Sequence, residues 1–388
     1  MGQWGMRIVH VSPHLPPDQA ANALLPAQLG RWMADRGDHV AFVAHEAAQA
    51  PGPGPRGLGL PVQWIPRRKS AGLRRLLKID AWQLVRRVRA ALSVVAHDAD
   101  LLHLHSNGLI IEAAASWARR HRKPYVLTLY GTEIWHYKKR PVIDPFTKAY
   151  RGAARLTFYS QRLMERAKAE GLERDGVVVV YPPVAETFKP RPDGEREALR
   201  RELGIPEAWV VLNVKRLHPL AGQKFLVDAF APIVRARRDV RLIICGDGSL
   251  RDELASQVQT LGITDRVTLT GFLPNETVAK YMAVADVFVL PSRLEAMPTV
   301  AVEALASGTP VISADHPGGV ELRDIFGDDV IVVPRESVGP LARALEGFLA
   351  QPRRTTPATA ESLDRLFRPP AVIRAFSGIY AQTVQSRG

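Results

Sequence analysis

Short apolar runs alternate with longer stretches of helical periodicity along most of this chain. The stretches between the runs have the length and polarity of amphipathic helices. Alternation of this kind is typical of parallel sheets flanked by helices, so we expect an α/β fold. Eight runs predict buried strands, at residues 7–12, 40–44, 100–104, 125–129, 209–214, 241–245, 287–290 and 310–313.

The alternation is interrupted once, near the middle of the chain. Prolines cluster at residues 181–183 and 190–192, and a fresh apolar run begins near Trp209. At 388 residues the chain is longer than one core usually organises. We predict two doubly wound, Rossmann-like domains facing a cleft: an N-terminal domain at 1–188, a second domain at 189–366, and a C-terminal helix at 367–388.

Composition narrows the class of protein. A hydrophobic content of 46% allows sizeable cores, and no apolar segment approaches the roughly 18 residues that a membrane span needs. Cys245 lies inside an apolar run and is interpreted as a core residue. The net charge of +13 suits nucleic acid, anionic lipid or phosphorylated ligands alike, but no zinc-finger or RNA-binding pattern accompanies it. We expect a cytoplasmic protein without a nucleic-acid partner.

A basic amphipathic pattern at residues 73–89 has two interpretations. Its leucines can pack inward while its arginines are solvated, or the helix can lie on an anionic membrane surface. Inward packing is the commoner arrangement. Weak peripheral association with the inner face of a membrane stays open as the alternative.

Two glutamates, Glu295 and Glu303, flank the start of a predicted helix. Pro298 suits the first helical position, and Gly308 suits its end. Glu303 lies in the second turn with its side chain leaning toward the N-terminus, among apolar neighbours where a carboxylate needs partners. The free N–H groups at the helix start favour a phosphate there, while the carboxylates can accept hydrogen bonds from sugar hydroxyls. The predicted phosphate seat comprises Met297, Pro298, Thr299 and Val300.

This region resembles the donor site of retaining glycosyltransferases of family 4, which have the GT-B fold. The resemblance rests on the Glu-x7-Glu spacing, on Ala-Ser-Gly-Thr-Pro-Val-Ile-Ser at residues 306–313, and on Gly318-Gly319 with Glu321. It implies a nucleoside diphosphate sugar as donor, with Glu303 holding the ribose and Glu295 the donor sugar. It also implies that the C-terminal helix crosses back to the N-terminal domain.

Arg216 is the first candidate for stabilising the departing diphosphate. It lies in Val-Lys-Arg-Leu after a predicted strand, which resembles the family's Gly-Arg-Leu element, whose arginine contacts the diphosphate. The family's lysine five positions later is replaced by Ala221. Lys215 and Lys224 are candidate replacements, and solvated surface charges are the alternative for both.

Two further elements resemble parts of the family's donor site. Gly246 and Gly248 follow a predicted strand, as in the Gly-x-Gly element whose backbone approaches the donor. Phe272 and Leu273 match the stretch that flanks the base. Neither element distinguishes uridine from guanosine or adenosine.

The N-terminal domain departs further from the family pattern. Tyr130 replaces the histidine of a His-Gly-Thr-Asp element, and Ala20-Ala21 stands where a glycine pair is usual. We expect the rings of His103 and His105 to face opposite sides of their strand, which excludes a metal pair. Candidates for the acceptor pocket are His105, Asn107, Tyr130 and Glu133, each with capping or loop bonding as the alternative. His14, Asp18 and Gln19, after the first strand, form a second candidate cluster. Lys138 lies in the cationic run at residues 136–140, which suits a phosphate or carboxylate on the acceptor and a solvated loop about equally.

The leading hypothesis is a retaining hexosyltransferase that moves a sugar from a nucleoside diphosphate to a small-molecule or lipid-linked acceptor. No metal or other cofactor is expected, because the aspartates near the predicted strand ends do not form an Asp-x-Asp pair of the kind that holds a divalent ion against a diphosphate, and fixed positive groups can stabilise the diphosphate instead. The alternative is a nucleotide-sugar-binding protein without ordinary transfer, a reading supported by the losses at Ala20-Ala21, Tyr130 and Ala221. A dehydrogenase is disfavoured because the glycine fingerprint is incomplete.

Overall fold

The computed structural model describes residues 5–17, 21–46, 58–66, 79–139, 141–142, 144–205 and 209–385. Their contacts divide the chain into two compact units. Unit 1 comprises Met1–Tyr181 and Val372–Gly388, and unit 2 comprises Pro182–Ala371.

Unit 1 is built on a parallel sheet of seven described strands. Its spatial order is β3-β2-β1-β4-β5-β6-β7, so the order of strands reverses between β1 and β4. The strands are β1 (Arg7–Ser12), β2 (His39–His45), β3 (Val62–Ile65), β4 (Leu101–His105), β5 (Tyr125–Leu129), β6 (Arg155–Phe158) and β7 (Val177–Val179).

Helices cover both faces of this sheet. Ile8 and Val9 enter different cores, because successive side chains of a strand point to opposite faces. Apolar side chains of the last helix of the chain, from Val372 to Tyr380, pack in the same core as Ile8. The helices with residues in unit 1 are α1 (Ala21–Asp35), α2 (Ile79–Val95), α3 (Leu109–Arg120), α4 (Thr132–Trp135), α5 (Pro145–Gly152), α6 (Gln161–Ala169) and α15 (Pro369–Gln385).

Unit 2 repeats the architecture with six parallel strands in the order β10-β9-β8-β11-β12-β13. They are β8 (Trp209–Val214), β9 (Val240–Cys245), β10 (Val267–Gly271), β11 (Val287–Leu290), β12 (Val311–Ala314) and β13 (Val330–Val333). The flanking helices are α7 (Asp193–Glu202), α8 (Gln223–Ala236), α9 (Arg251–Thr260), α10 (Asn275–Val284), α11 (Thr299–Ala306), α12 (Pro317–Phe326), α13 (Val338–Ala350) and α14 (Pro357–Leu366).

The predicted fold class is confirmed: each unit is a doubly wound, Rossmann-like sheet. All eight predicted strands are present, with ends that differ by at most one residue. Cys245 is buried in unit 2, where desolvation raises its thiol pKa to about 11, as suits a core residue. Across the described parts of the chain, every helix falls short of the length and apolar content needed to cross a membrane.

Candidate functional site

The loops after β8 and β11 meet at the point where the strand order of unit 2 reverses. These two strands are paired neighbours in the sheet although three α-helices and two strands separate them in the chain. Ligands of open parallel sheets bind beyond the carboxyl ends of the strands at such a reversal. Arg216 follows β8, and Glu295 lies between β11 and α11.

Arg216 is exposed at the edge of an open pocket of about 510 Å³. The pocket is formed by the turn after β8 and the turn after β9, and the backbones of the two turns are tied by a hydrogen bond from Leu217 N–H to Asp247 O at 3.0 Å. The residues that line it are Arg216, Leu217, His218, Asp247, Gly248 and Ser249.

The two predicted donor-site glycines are required by close backbone packing. A Cβ added to Gly246 would lie 2.1 Å from the carbonyl oxygen of Lys215, and one added to Gly248 would lie 2.3 Å from that of Leu217. Both glycines also have positive φ angles, 144° and 155°. Only glycine therefore allows the β9 turn to lie against the turn that carries Arg216.

The helix start between the two glutamates lies one residue later than predicted. α11 begins at Thr299, and Pro298 occupies the N-cap position with an extended backbone. Met297 and Pro298 are buried, while Thr299 and Val300 are half-buried. The N–H groups of Thr299 and Val300 have no intrahelical acceptor, as at every helix start, and the positive end of the helix dipole lies with them.

Glu303 lies in the second turn of α11, as predicted, and is largely desolvated. Burial raises the pKa of its carboxyl from 4.5 to about 8. Its carboxyl oxygens accept no hydrogen bond from the described residues, and its neighbours Val302 and Ala304 are buried and apolar. The unliganded side chain is therefore a neutral acid near pH 7, available to groups that would bind beside α11.

Lys215 and Glu295 join the two loops. The ammonium Nζ of Lys215 is 2.6 Å from Glu295 Oε1, and the two side chains are 28% and 17% exposed. Lys224 is exposed on α8 with Nζ 5.1 Å from the ring centre of Phe225. Ala221 is buried, at 3% exposure, in a short turn before α8. Of the two candidate lysines, Lys215 is the one that contacts a predicted site residue.

His316 lies between β12 and α12, near the Lys215–Glu295 pair, and the sequence did not single it out. It caps α12, with Nδ1 accepting the Gly319 N–H at 2.9 Å and Nε2 3.3 Å from Ser313 Oγ. Burial lowers its pKa to about 4, opposed by the Glu295 carboxylate and assisted by the Lys215 ammonium. His316 is therefore neutral, with its proton on Nε2. The signal for it was the His-Pro-Gly-Gly sequence, since a polar side chain before Pro at a helix start is typical of a cap.

The predicted base-flanking residues lie beyond the end of β10. Phe272 is 71% exposed, whereas Leu273 is half-buried. The preceding Gly271 accepts a hydrogen bond from Gly246 N–H at 2.8 Å, which joins this end to the β9 turn. An aromatic ring this exposed beside a glycine turn offers a stacking surface.

In unit 1 the structure brings together three of the predicted acceptor residues. His105 Nδ1 is 2.8 Å from the Tyr130 hydroxyl, and Glu133 Oε2 accepts the N–H groups of Tyr130 and Gly131 at 3.2 and 2.7 Å. The Glu133 Oε1 atom is buried and has no partner among the described groups. Desolvation raises the Tyr130 pKa well above 10, so this hydroxyl keeps its proton. Through these bonds to backbone N–H groups, Glu133 stabilises its own loop, which was the alternative to a role in the acceptor pocket.

The prediction that His103 and His105 face opposite sides is wrong. Their ring centroids are 3.9 Å apart, because residues two apart on a strand point to the same face. His10 on β1 completes a buried cluster, with Nδ1 2.9 Å from His105 Nε2. Their ligand atoms lie within 4.8 Å of one another, a spacing that a metal ion could bridge.

The hydrogen bonds of this cluster nevertheless occupy most of its nitrogens. His103 is bonded through Nδ1 to Tyr380 and through Nε2 to Thr128, each at 2.6 Å. Among the described atoms, His10 Nε2 alone of the six ring nitrogens lacks a partner. The three rings thus form a polar network within the core. His10 and Tyr380 were missed as its members because no local pattern pairs β1 with β4 or places α15 against β4, whereas His103 was misplaced by the error in strand periodicity.

The remaining acceptor candidates are not brought into this cluster. Asn107 and Lys138 are exposed, and His14 is half-buried with its N–H 3.3 Å from Ser12 Oγ. Asp18, Gln19 and Ala20 lie outside the described residues, and α1 begins at Ala21.

Two family profiles match the chain, one in each unit. The profile described as Glycosyl transferase 4-like domain matches residues 26–183, and the profile described as Glycosyl transferases group 1 matches residues 195–363. The second match includes Arg216, Glu295 and Glu303.

Individual relatives agree with these profiles. The chain is 28% identical to 2-deoxystreptamine glucosyltransferase of Streptomyces kanamyceticus over 66% of its own length and 69% of the relative's. It is 32% identical to alpha-D-kanosaminyltransferase of the same species, over 54% and 56% of the two chains, so it spans about half of that relative. The structure of Anabaena HepE in complex with UDP and glucose superposes with a TM-score of 0.76 at 22% identity, over 97% of this chain and 99% of that one.

Proposed function

Since the chain belongs to the family 4 glycosyltransferases with the GT-B fold, we propose that it transfers a hexose-type sugar from a nucleoside diphosphate to an acceptor hydroxyl with retention of anomeric configuration. The donor site is assigned to unit 2. The acceptor is a small molecule or a lipid-linked molecule.

One observation carries this proposal: positively charged groups and carboxyl groups lie together where the strand order reverses between β8 and β11. Arg216 and the start of α11 supply positive charge for a diphosphate. Glu295 and Glu303 supply carboxyl groups for hydroxyls beside it. A site for a sugar nucleotide needs both, because the molecule carries a charged diphosphate between two neutral polyols.

In the proposed mechanism the protein supplies no nucleophile. The acceptor oxygen attacks the anomeric carbon on the face from which the diphosphate leaves. The glycosidic bond forms as the bond between sugar and phosphate breaks, and the hydroxyl proton departs with the diphosphate. Arg216 and the N-terminus of α11 stabilise the charge that builds on the leaving oxygen. Glu303 binds the ribose and Glu295 the donor sugar, and fixed positive groups serve where a metal ion would otherwise be used.

The polar cluster of unit 1 supports an acceptor site there. Tyr130 directly follows β5 and Glu133 lies on α4, beyond the same sheet edge as the end of β4. The Tyr130 hydroxyl and the buried Glu133 Oε1, which has no partner among the described groups, are the polar atoms that a polar acceptor would have to reach. Because one relative is named for 2-deoxystreptamine, aminocyclitols belong in the first panel of acceptors tested.

We propose a cytoplasmic location with weak association at the inner face of a membrane. Trp82 on α2 is 64% exposed, with the Arg86 guanidinium 5.7 Å from its ring centre. An exposed aromatic ring beside cations suits a lipid interface. Residues 73–78 of the predicted basic helix lie outside the described residues. Sedimentation with anionic vesicles, compared with neutral ones, tests this association.

The function is tested by incubating the protein with UDP-, GDP- and ADP-sugars and an acceptor panel, with and without EDTA. We expect one donor to be consumed with release of its diphosphate, and a glycoside that retains the donor's anomeric configuration by NMR. Activity should survive EDTA. Tight nucleotide-sugar binding without turnover, even with cell-extract acceptors, would instead establish the binding protein that lacks transfer.

A further inference from the structure

The ion pair between Lys215 and Glu295 blocks part of the proposed donor site. The Nζ–Oε1 distance is 2.6 Å, and at 28% and 17% exposure the pair is shielded more than a typical surface pair. While Oε1 is held by the ammonium, it is less available to a sugar hydroxyl. A donor therefore has to compete with this internal contact.

Lys215 also lies close to where a diphosphate would bind. Its backbone carbonyl packs against Gly246, and the next residue, Arg216, lines the open pocket. A diphosphate carries about two to three negative charges, and phosphate oxygens form strong charge-assisted bonds with an ammonium group. An incoming diphosphate can thus take this ammonium away from a single carboxylate.

We propose that Lys215 exchanges partners when the donor binds: its ammonium group leaves Glu295 for the diphosphate, and the freed Glu295 carboxylate accepts a hydroxyl of the donor sugar. The inference rests on the proposed function. It makes Lys215 the second cation of the site beside Arg216. It also means that binding of the diphosphate frees the Glu295 carboxylate to accept a hydroxyl of the sugar.

The surroundings of Lys224 argue against that residue in this role. Its ammonium lies over the ring of Phe225 on its own helix. Its backbone carbonyl accepts a hydrogen bond from Gln257 on α9, which also donates to Asp228. This part of α8 faces α9, whereas Lys215 reaches the loop after β11.

Calorimetry with UDP, GDP and ADP and the three corresponding monophosphates tests the exchange. Lys215→Met keeps most of the aliphatic chain and removes the charge. We expect it to weaken binding of the preferred diphosphate by about tenfold or more, and to leave monophosphate binding within about twofold. Glu295→Gln releases Lys215 from its ion pair, so it should strengthen diphosphate binding several-fold while slowing sugar transfer.

A second ion pair of unit 2 provides a matched control. Lys280 Nζ and Glu202 Oε1 are also 2.6 Å apart, but this pair joins α10 and α7 on the surface. Lys280→Met and Glu202→Gln should leave the binding of both nucleotide classes unchanged.

Two results would overturn the inference alone: diphosphate binding by Lys215→Met that equals the parent, or weakened diphosphate binding by Glu295→Gln. A selective loss in Lys224→Met, with Lys215→Met unaffected, would transfer the role to Lys224. Failure of the parent protein to bind any of the three diphosphates would remove the proposed function, and the exchange with it.

Discussion

Tyr380 and His103 are 277 positions apart in the sequence, yet the tyrosine hydroxyl lies 2.6 Å from His103 Nδ1. Both side chains are fully buried. The bond ties α15 to β4 at the centre of unit 1. Since His103 Nε2 is bonded to Thr128, the bond to Tyr380 gives the second ring nitrogen of His103 its partner.

Tyr380→Phe should therefore destabilise unit 1. Removing the hydroxyl leaves His103 Nδ1 buried without a partner, which costs about 1–3 kcal/mol in the free energy of unfolding. Urea unfolding measures the change, and a double-mutant cycle with His103→Leu isolates the contribution of the pair. Stability equal to that of the parent would show that the bond contributes nothing.

Acid should destabilise unit 1 through the three buried histidines. Burial lowers the pKa of His10 to about 3 and those of His103 and His105 well below 6.5. The unfolded chain takes up protons first as pH falls below about 6.5, so the free energy of unfolding decreases by up to about 1.4 kcal/mol per pH unit for each histidine. Urea unfolding between about pH 7.5 and about pH 5 measures the slope.

His10→Phe provides the matched variant for this prediction. His10 stacks on Phe42 with ring centroids 5.1 Å apart, so an apolar ring suits its position. The variant should lose stability less steeply as the pH falls. An unchanged slope would mean that His10 is not among the groups responsible.

Glu303 should give nucleotide binding a proton signature. Its carboxyl pKa is raised to about 8 by burial, so it is protonated near pH 7. Ribose hydroxyls donate best to the ionised form, so binding should release up to about one proton and strengthen as the pH rises toward about 8. Calorimetry in buffers of different ionisation enthalpy measures the release.

Glu303→Gln keeps the shape of the side chain but cannot titrate. Nucleotide binding to this variant should therefore release fewer protons, by the number that Glu303 releases in the parent. Equal release by parent and variant would contradict the ribose assignment. The same raised pKa stabilises the fold at low pH, and this contribution is lost as the pH rises through about 8. Glu303→Gln should abolish this loss of stability at higher pH. The histidines have the opposite effect, because their contribution to stability is lost as the pH falls.

Gly248→Ala should disturb the donor site specifically. Its Cβ would lie 2.3 Å from the Leu217 carbonyl oxygen, which displaces the turn after Arg216. We expect loss of nucleotide affinity by calorimetry. Gly262→Ala is the control, because Gly262 also has a positive φ, 68°, but open space around it. Gly262→Ala should lower only the free energy of unfolding and leave nucleotide affinity unchanged. Similar nucleotide affinity for both variants would contradict the claim that the turn at Gly248 shapes the donor site.

The sequence predicted the two sheets better than it predicted their edges. The five strands it missed, β3, β6, β7, β10 and β13, have three to five residues each. β3 contains Gln63 and β6 begins at Arg155, so neither has an uninterrupted apolar run. Short strands of this kind are recognised only once their neighbours in the sheet are known.

Local features of the candidate site were predictable, and contacts between distant segments were not. The loop position of Glu295 and the partial burial of Glu303 follow from the strand, proline and apolar residues around them. The ion pair of Lys215 with Glu295 depends on β8 pairing with β11, which no local pattern encodes. The histidine cluster was misread through a mistake in strand periodicity, although the sequence contained the information for His103 and His105.

The most direct test of the account is the release of nucleoside diphosphate from UDP-, GDP- and ADP-sugars by the parent protein and two arginine variants. Arg216→Ala removes the guanidinium assigned to the leaving group, whereas Arg238→Ala removes an exposed guanidinium of unit 2 outside the pocket. The account predicts release by the parent and by Arg238→Ala, and a rate lower by about 10² to 10³ in Arg216→Ala. Release by Arg216→Ala at the parent rate would contradict it.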